Sequence, residues 1–224
     1  MARAFAAVDV GSNAIRLSMV RLCPSGTLLD TQSHRYALRL GAEVYRLGYV
    51  RETVARGFVD VFRDVALRMR NFGVDERRAV ATASLRDAAN RDLLTTRVYD
   101  AHGIHIDVIT GEEESNLSRA ALVRALGFLD AESLLVDLGG GSLELMRVDG
   151  ERAASLPLGT VRLLERYPRL RGRCSIDGVT EARRATLDEL DRCDVADRPE
   201  RCVGTGGNLG TLARLLPGPA GLWP

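Results

Sequence analysis

The sequence predicts an α/β protein of two similar lobes, each a mixed sheet flanked by helices. Three observations carry that expectation. The stretches Val8-Asp9-Val10-Gly11-Ser12-Asn13 and Val136-Asp137-Leu138-Gly139-Gly140-Gly141-Ser142 share one pattern, an apolar run bearing an Asp, then a glycine turn and Ser. Each reads as a buried strand delivering a carboxylate to a loop whose backbone amides can face a phosphate. The hydrophobic periodicities after each copy also repeat in the same order. Finally, 224 residues with 46% hydrophobic and 27% charged content suffice for two cores in domains of about a hundred residues each.

The elements follow in order. Residues 4–10 read as a buried strand, and Ile15, Leu17 and Met19 alternate with Arg16 and Ser18 as a half-buried second strand. A third strand falls within 27–40, and short turns make the three an antiparallel meander. The stretch around Gly41 and Gly48 reads as a loop. Segment 51–72 then places Val54, Phe58, Val61, Phe62, Val65 and Met69 at helical spacing, with Gly73 as its stop. A strand over 79–83, a helix over 88–101, a strand over 104–109 and a helix over 112–126 complete the first lobe. The order then restarts with strands over 133–138 and 143–148, a turn at Asp149-Gly150 and a third strand reaching Leu158. A short helix over 160–167, a helix over 179–192, a strand over 201–204 and a helix over 208–216 follow. The boundary falls where the helix ends at Gly127, giving lobes 1–128 and 129–224. Equivalent lobes would need one more strand and helix after Leu216, which Pro217 to Pro224 cannot supply. A truncated second lobe with an open sheet edge is therefore expected, and with it a homodimer.

Composition excludes several function classes. The net charge is +1 with both signs interspersed, which argues against a general grip on DNA or RNA. The chain has no Lys, so a P-loop lysine and a lysine Schiff base are both out, and Arg is the permanent cation for phosphate oxygens. Cys23, Cys174, Cys193 and Cys202 show no zinc spacing and read as free thiols of a reducing compartment. No segment has signal-peptide or membrane-spanning character, so the expected location is cytoplasmic.

Four places carry chemistry. Asp9 and Asp137 sit at the C-terminal ends of strands, where ligands bind in α/β sheets, although an Asp before Gly also caps its own turn. Glu112, Glu113 and Glu114 open a helix, where the macrodipole alone favours acids, but where one carboxylate could act as general base toward water. Arg86, just after a strand, could clamp a phosphate or simply begin a helix. Gly204-Thr205-Gly206-Gly207-Asn208 brings backbone amides and a helix start together; its spacing is not that of a dinucleotide site.

In this order and spacing, AVDVGSNAIRL (7–17), ATASLRDAAN (81–90), ITGEEESNL (109–117), LLVDLGGGSLEL (134–145), SLPLGTVRL (155–163) and CVGTGGNLGTLARL (202–215) resemble the exopolyphosphatase and guanosine pentaphosphate phosphohydrolase family. The resemblance implies the actin-like, ribonuclease H-like superfold. It implies hydrolysis of a terminal phosphoanhydride, in inorganic polyphosphate or guanosine pentaphosphate, assisted by Mg²⁺. Residue by residue, it implies Glu114 as general base and Asp137 with Glu144 as the acidic pair for Mg²⁺, Asp9 helping. Gly11, Ser12, Asn13, Arg16, Arg86, Gly139, Gly140, Gly141, Ser142, Gly204, Thr205, Gly206 and Gly207 would surround the phosphates. Leu143 and Asn208 depart from the pattern by standing where the family often has Thr, which removes two hydroxyls. Two other functions compete: a non-catalytic phosphate or nucleotide sensor, and an actin-like kinase for which the sequence offers no acceptor site.

Overall fold

The computed structural model describes residues 1–127, 129–131, 133–196, 199 and 201–215. Its contacts divide the chain into two units, Met1–Ile109 and Thr110–Pro224.

In the first unit, β1 (Arg3–Val10), β2 (Ile15–Leu22), β3 (Leu28–Tyr36), β4 (Glu76–Ala81) and β5 (Ile106–Val108) form one sheet in the order β3-β2-β1-β4-β5. The meander β1-β2-β3 is antiparallel, and β4 and β5 join in parallel. Alternation in β1 buries Ala4, Ala6, Val8 and Val10 on one face, the period of two that places Asp9 on the other. Onto the buried face packs α2 (Glu52–Phe72), whose Ala55, Phe58, Phe62, Val65, Met69 and Phe72 lie three or four residues apart and make one stripe. Phe58 and Phe62 meet edge to face with centroids 5.1 Å apart. Gly73 ends the helix at φ +72°, its N–H reaching Arg70 O and that of Val74 reaching Met69 O, the left-handed closure that glycine permits.

Two helices depart from expectation. The stretch around Gly41 is α1 (Leu40–Leu47) rather than a loop. The helix expected over 88–101 is α4 (Arg91–His102), and a short helix not expected from the sequence, α3 (Ala83–Asp87), precedes it.

In the second unit, β6 (Leu134–Leu138), β7 (Leu143–Arg147), β8 (Ala153–Leu156) and β9 (Cys202–Thr205) lie in the order β8-β7-β6-β9. This repeats the first four positions of the first sheet, with β6-β7-β8 antiparallel and β9 parallel to β6. The actin-like order expected from the sequence is thus present in both units. One face of this sheet packs Leu134, Leu145 and their neighbours on Val195, Leu190 and Cys193, the last two at the end of and just after α7 (Ile176–Asp191). Two further helices, α6 (Thr160–Arg166) and α8 (Gly207–Leu215), follow β8 and β9.

The remaining helix is α5 (Gly111–Leu126), which the sequence reading places before its boundary at 128/129. It packs on β7 and β8, so the division falls between Ile109 and Thr110. The cause is the inner face of α5: Ser118 hydrogen-bonds Asp137, and Arg119 donates to Val148 O at 3.2 Å. The expectation about the segment after Leu216 lies outside the described residues.

Candidate active site

The first glycine turn is held from inside its own unit. Gly11 N donates to Ala14 O at 3.1 Å, closing the turn between β1 and β2. Ser12 is 4% exposed, and its hydroxyl shares a 2.7 Å hydrogen bond with Tyr45 on α1. Its carbonyl accepts from Gly41 N at 2.9 Å. A Cβ on Gly41 would fall 2.8 Å from Ser12 Cβ, so this approach of α1 requires glycine. The Ser12 side chain therefore braces the loop, and Asn13 is the exposed side chain of the turn. Beneath it, buried Glu43 accepts from Arg51 N at 2.9 Å and Arg51 Nε at 2.6 Å, tying α1 to the start of α2. Burial pushes the Glu43 carboxyl up, but the hydrogen bonds and charge of Arg51 outweigh it and hold the group below its usual value.

Asp9 stands opposite Arg16 in the register of β1 and β2, and Arg16 Nη1 lies 3.5 Å from Asp9 Oδ2. The half-buried Arg86 follows β4 on α3 and donates to Ile109 O at 2.8 Å. Asp9, Gly11, Ser12, Asn13, Arg16 and Arg86 thus all belong to the first unit.

In the second unit the register draws a polar row across the whole sheet. Thr205 on β9 pairs with Asp137 on β6, Asp137 with Glu144 on β7, and Glu144 with Ser155 on β8. Residues in register share a face, so two carboxylates stand side by side there. Glu144 is only 2% exposed, and its Oε1 accepts from Ser155 Oγ at 3.0 Å. Asp137 Oδ2 accepts from Ser118 Oγ at 3.3 Å. Each acid therefore has one oxygen fixed by a serine hydroxyl.

Ser118 also locates Glu114, which precedes it by four residues and so lies one turn earlier on the same helix face. That turn is capped by Thr110, whose Oγ1 accepts from Glu113 N at 3.1 Å. The three glutamates thus occupy the positive end of the helix dipole, as the sequence pattern implies, and Glu114 is carried by the unit that holds the acidic pair.

The loops complete the arrangement. Gly139 N donates to Ser142 O at 3.1 Å, turning β6 back into β7. Gly206, at φ +90°, passes so close to the pair that a Cβ there would lie 2.9 Å from Asp137 Oδ1. Gly159 presses on the same loop from behind; a Cβ on it would fall 2.3 Å from backbone atoms of Gly141. Glu114, Asp137, Gly139, Gly140, Gly141, Ser142, Glu144, Gly204, Thr205, Gly206 and Gly207 are accordingly one group in the second unit.

Sequence reasoning missed Ser118, Ser155, Gly159 and Tyr45 as supports. A serine on a helix or strand carries no signal until register sets it beside a carboxylate. Gly159 did carry one, a glycine opening a helix directly after a strand. Among the described residues no group of three or more His, Cys, Asp and Glu forms a ready cation cage. None of the helices among them is long and apolar enough to cross a membrane. All four cysteines are free thiols.

Comparison with known proteins places these features. A model described as the Ppx/GppA phosphatase family matches residues 25–214. A guanosine-5′-triphosphate,3′-diphosphate pyrophosphatase of Photobacterium profundum is 28% identical over 217 residues, 95% of this chain and 43% of that protein. Exopolyphosphatase 2 of Mycobacterium tuberculosis is 33% identical over 230 residues, 94% of this chain and 70% of the relative. The chain therefore spans less than half the length of the first relative. The crystal structure of the Aquifex aeolicus member of the Ppx/GppA family superposes with a TM-score of 0.75 at 27% identity, covering 96% of this chain and 70% of that one.

Proposed function

The chain belongs to the Ppx/GppA phosphatase family, and from that premise we propose that it releases orthophosphate from the terminus of inorganic polyphosphate, from the 5′ end of guanosine pentaphosphate, or from both. The observation that carries the proposal is the juxtaposition of Asp137 and Glu144 in one register row, beside a glycine loop and one face of α5.

Two carboxylates side by side fit Mg²⁺. This hard ion takes oxygen ligands, keeps several waters, and needs only one or two carboxylates plus substrate phosphates. Asp137 and Glu144 would hold it. Bound there, Mg²⁺ supplies positive charge to the non-bridging oxygens of the scissile phosphoryl group.

The chain's own groups do the rest. Backbone amides of Gly140 to Ser142, and the glycine turn of Gly204 to Gly207, face developing charge on the phosphate oxygens, where fixed donors are worth most. Gly11, Ser12 and Asn13 give a second such turn; because the Ser12 hydroxyl is engaged with Tyr45, the contribution of Ser12 is its backbone. Within the first unit, Arg16 and Arg86 are the permanent cations suited to phosphate oxygens. Glu114, at the positive end of the helix dipole, orients the water for in-line attack and accepts its proton.

The test compares phosphate release from both substrates with Mg²⁺ for the wild type and Glu114→Gln. A positioned base contributes about 10²- to 10⁴-fold, and a loss of that size with substrate binding intact is expected. Equal rates would remove Glu114 from the mechanism, whereas no release from either substrate by the wild type would overturn the hydrolase reading itself.

A further inference from the structure

The three glycines after Asp137 pose a backbone problem. With no Cβ, a glycine run rotates easily and can turn any of its N–H groups away from a ligand. In a trans peptide, however, the carbonyl of one residue and the N–H of the next point in opposite directions. Whatever holds the carbonyls therefore aims the amides.

Every carbonyl of the run is held. Thr160 N donates to Gly139 O at 3.1 Å, and Val161 N and Arg162 N donate to Gly140 O at 2.8 and 3.1 Å. Arg162 Nε donates to Gly141 O at 2.7 Å. Asn208 Nδ2 donates to Leu138 O at 2.8 Å and to Gly139 O at 3.3 Å. Peptide geometry translates these bonds directly. The hold on Gly139 O orients the N–H of Gly140, the hold on Gly140 O that of Gly141, and the hold on Gly141 O that of Ser142. Among the described residues none of these three N–H groups donates to an acceptor. They are an aimed set of donors, and the first amides of α6 are spent in aiming them rather than in binding anything themselves.

Two of the holders are side chains, so substitution can remove them without touching the loop. We propose that Arg162 and Asn208 are positioning residues, a two-sided clamp that locks the peptide planes of Gly139 to Gly141 so that three N–H groups face the substrate phosphate. Arg162 reaches the loop from the start of α6, and Asn208 from the first turn of α8. Asn208 thereby explains its own departure from the family pattern. The hydroxyl expected there is replaced by a longer amide that bridges two carbonyls. This inference rests on the phosphate role proposed for the loop.

The test is calorimetric binding of imidodiphosphate, a non-hydrolysable P–N–P analogue, with Mg²⁺ present. It uses the wild type, Arg162→Ala, Asn208→Ala and Asn208→Thr, alongside thermal melts and amide hydrogen exchange at residues 140–142. Freeing one hydrogen-bonded carbonyl removes an interaction of the size that gives about tenfold in affinity. Affinity is expected to fall by about that factor in each alanine variant, with faster exchange at the three amides in the imidodiphosphate complex, and Asn208→Thr is expected to recover part of the loss. Wild-type affinity in variants whose loop exchange has risen, or unchanged exchange in both, would overturn the clamp. If Arg162→Ala fails to fold, the two Asn208 variants decide the matter. A wild type that binds no imidodiphosphate would instead overturn the phosphate role of the loop.

Discussion

Gly159→Ala tests the close approach on which the second glycine loop depends. A Cβ at this position would lie 2.3 Å from both N and C of Gly141 and 2.4 Å from C of Gly140. Carbon contacts are comfortable only from about 3.5 Å, so one side must retreat by about 1 Å, and both sides are main chain. A shift of that size takes the bonds from Val161 N to Gly140 O, at 2.8 Å, and from Thr160 N to Gly139 O, at 3.1 Å, out of good geometry. Overpacking costs about 1–3 kcal/mol and each lost bond about 1 kcal/mol, which gives a destabilisation of roughly 3–5 kcal/mol. Moving a donor loop by this distance also lowers the rate by about a hundredfold. Urea midpoints and phosphate release measure the two effects. Gly210→Ala is the control: nothing lies within 4 Å of a Cβ there, on α8, where Ala is favoured over Gly by about 1 kcal/mol. Stability within about 0.5 kcal/mol of wild type in Gly159→Ala, the range of an ordinary surface change, together with an undiminished rate, would refute the argument.

Two further outcomes follow from the supports of the site. Ser155→Ala and Ser118→Ala each remove the hydroxyl that fixes one oxygen of Glu144 or Asp137. Binding of Mn²⁺ as a probe for Mg²⁺, followed by electron paramagnetic resonance, is expected to weaken about 10- to 100-fold, the usual effect of losing a group that orients a ligand; unchanged affinity would remove the serines from this role. Glu43 gives a pH dependence. Its folded carboxyl lies below the usual 4.5 because of Arg51, so its stabilisation is present above that value and disappears as the pH falls through the lowered one. Glu43→Gln should therefore be less stable than wild type at neutral pH, with the gap closing in acid; parallel melting profiles down to acid pH would contradict the assignment.

Much of this architecture was legible because it rests on local periodicity. The stripe of α2 and the alternation of β1 and β2 are written in residue spacing, and the repeated Asp-glycine turns announced the two sheets. What escaped has a tertiary cause. The helix α1 was hidden by Gly41, a residue demanded by the backbone of Ser12 across the turn rather than by the helix itself. The packing of α5 on β7 and β8 was not legible because periodicity shows that a helix is amphipathic but not which sheet receives its inner face. Asn208 was read only as a lost hydroxyl, since its reach to Leu138 O requires the parallel pairing of β9 with β6.

The two lobes repeat a fold and diverge along one register row. On β2 the residue opposite Asp9 is Arg16; on β7 the residue opposite Asp137 is Glu144. A carboxylate beside a guanidinium is compensated within its own sheet. A carboxylate directly opposite another is disfavoured across strands, and a cation between the two relieves that cost. The same backbone device, a strand ending in Asp before a glycine turn, can thus provide a neutralised anchor in one lobe and a place for a divalent ion in the other. The serines sharpen the difference, because Ser155 extends the second row where Arg35 extends the first. In the proposed mechanism the second lobe contributes the acidic pair, the clamped glycine loop and, through α5, the base.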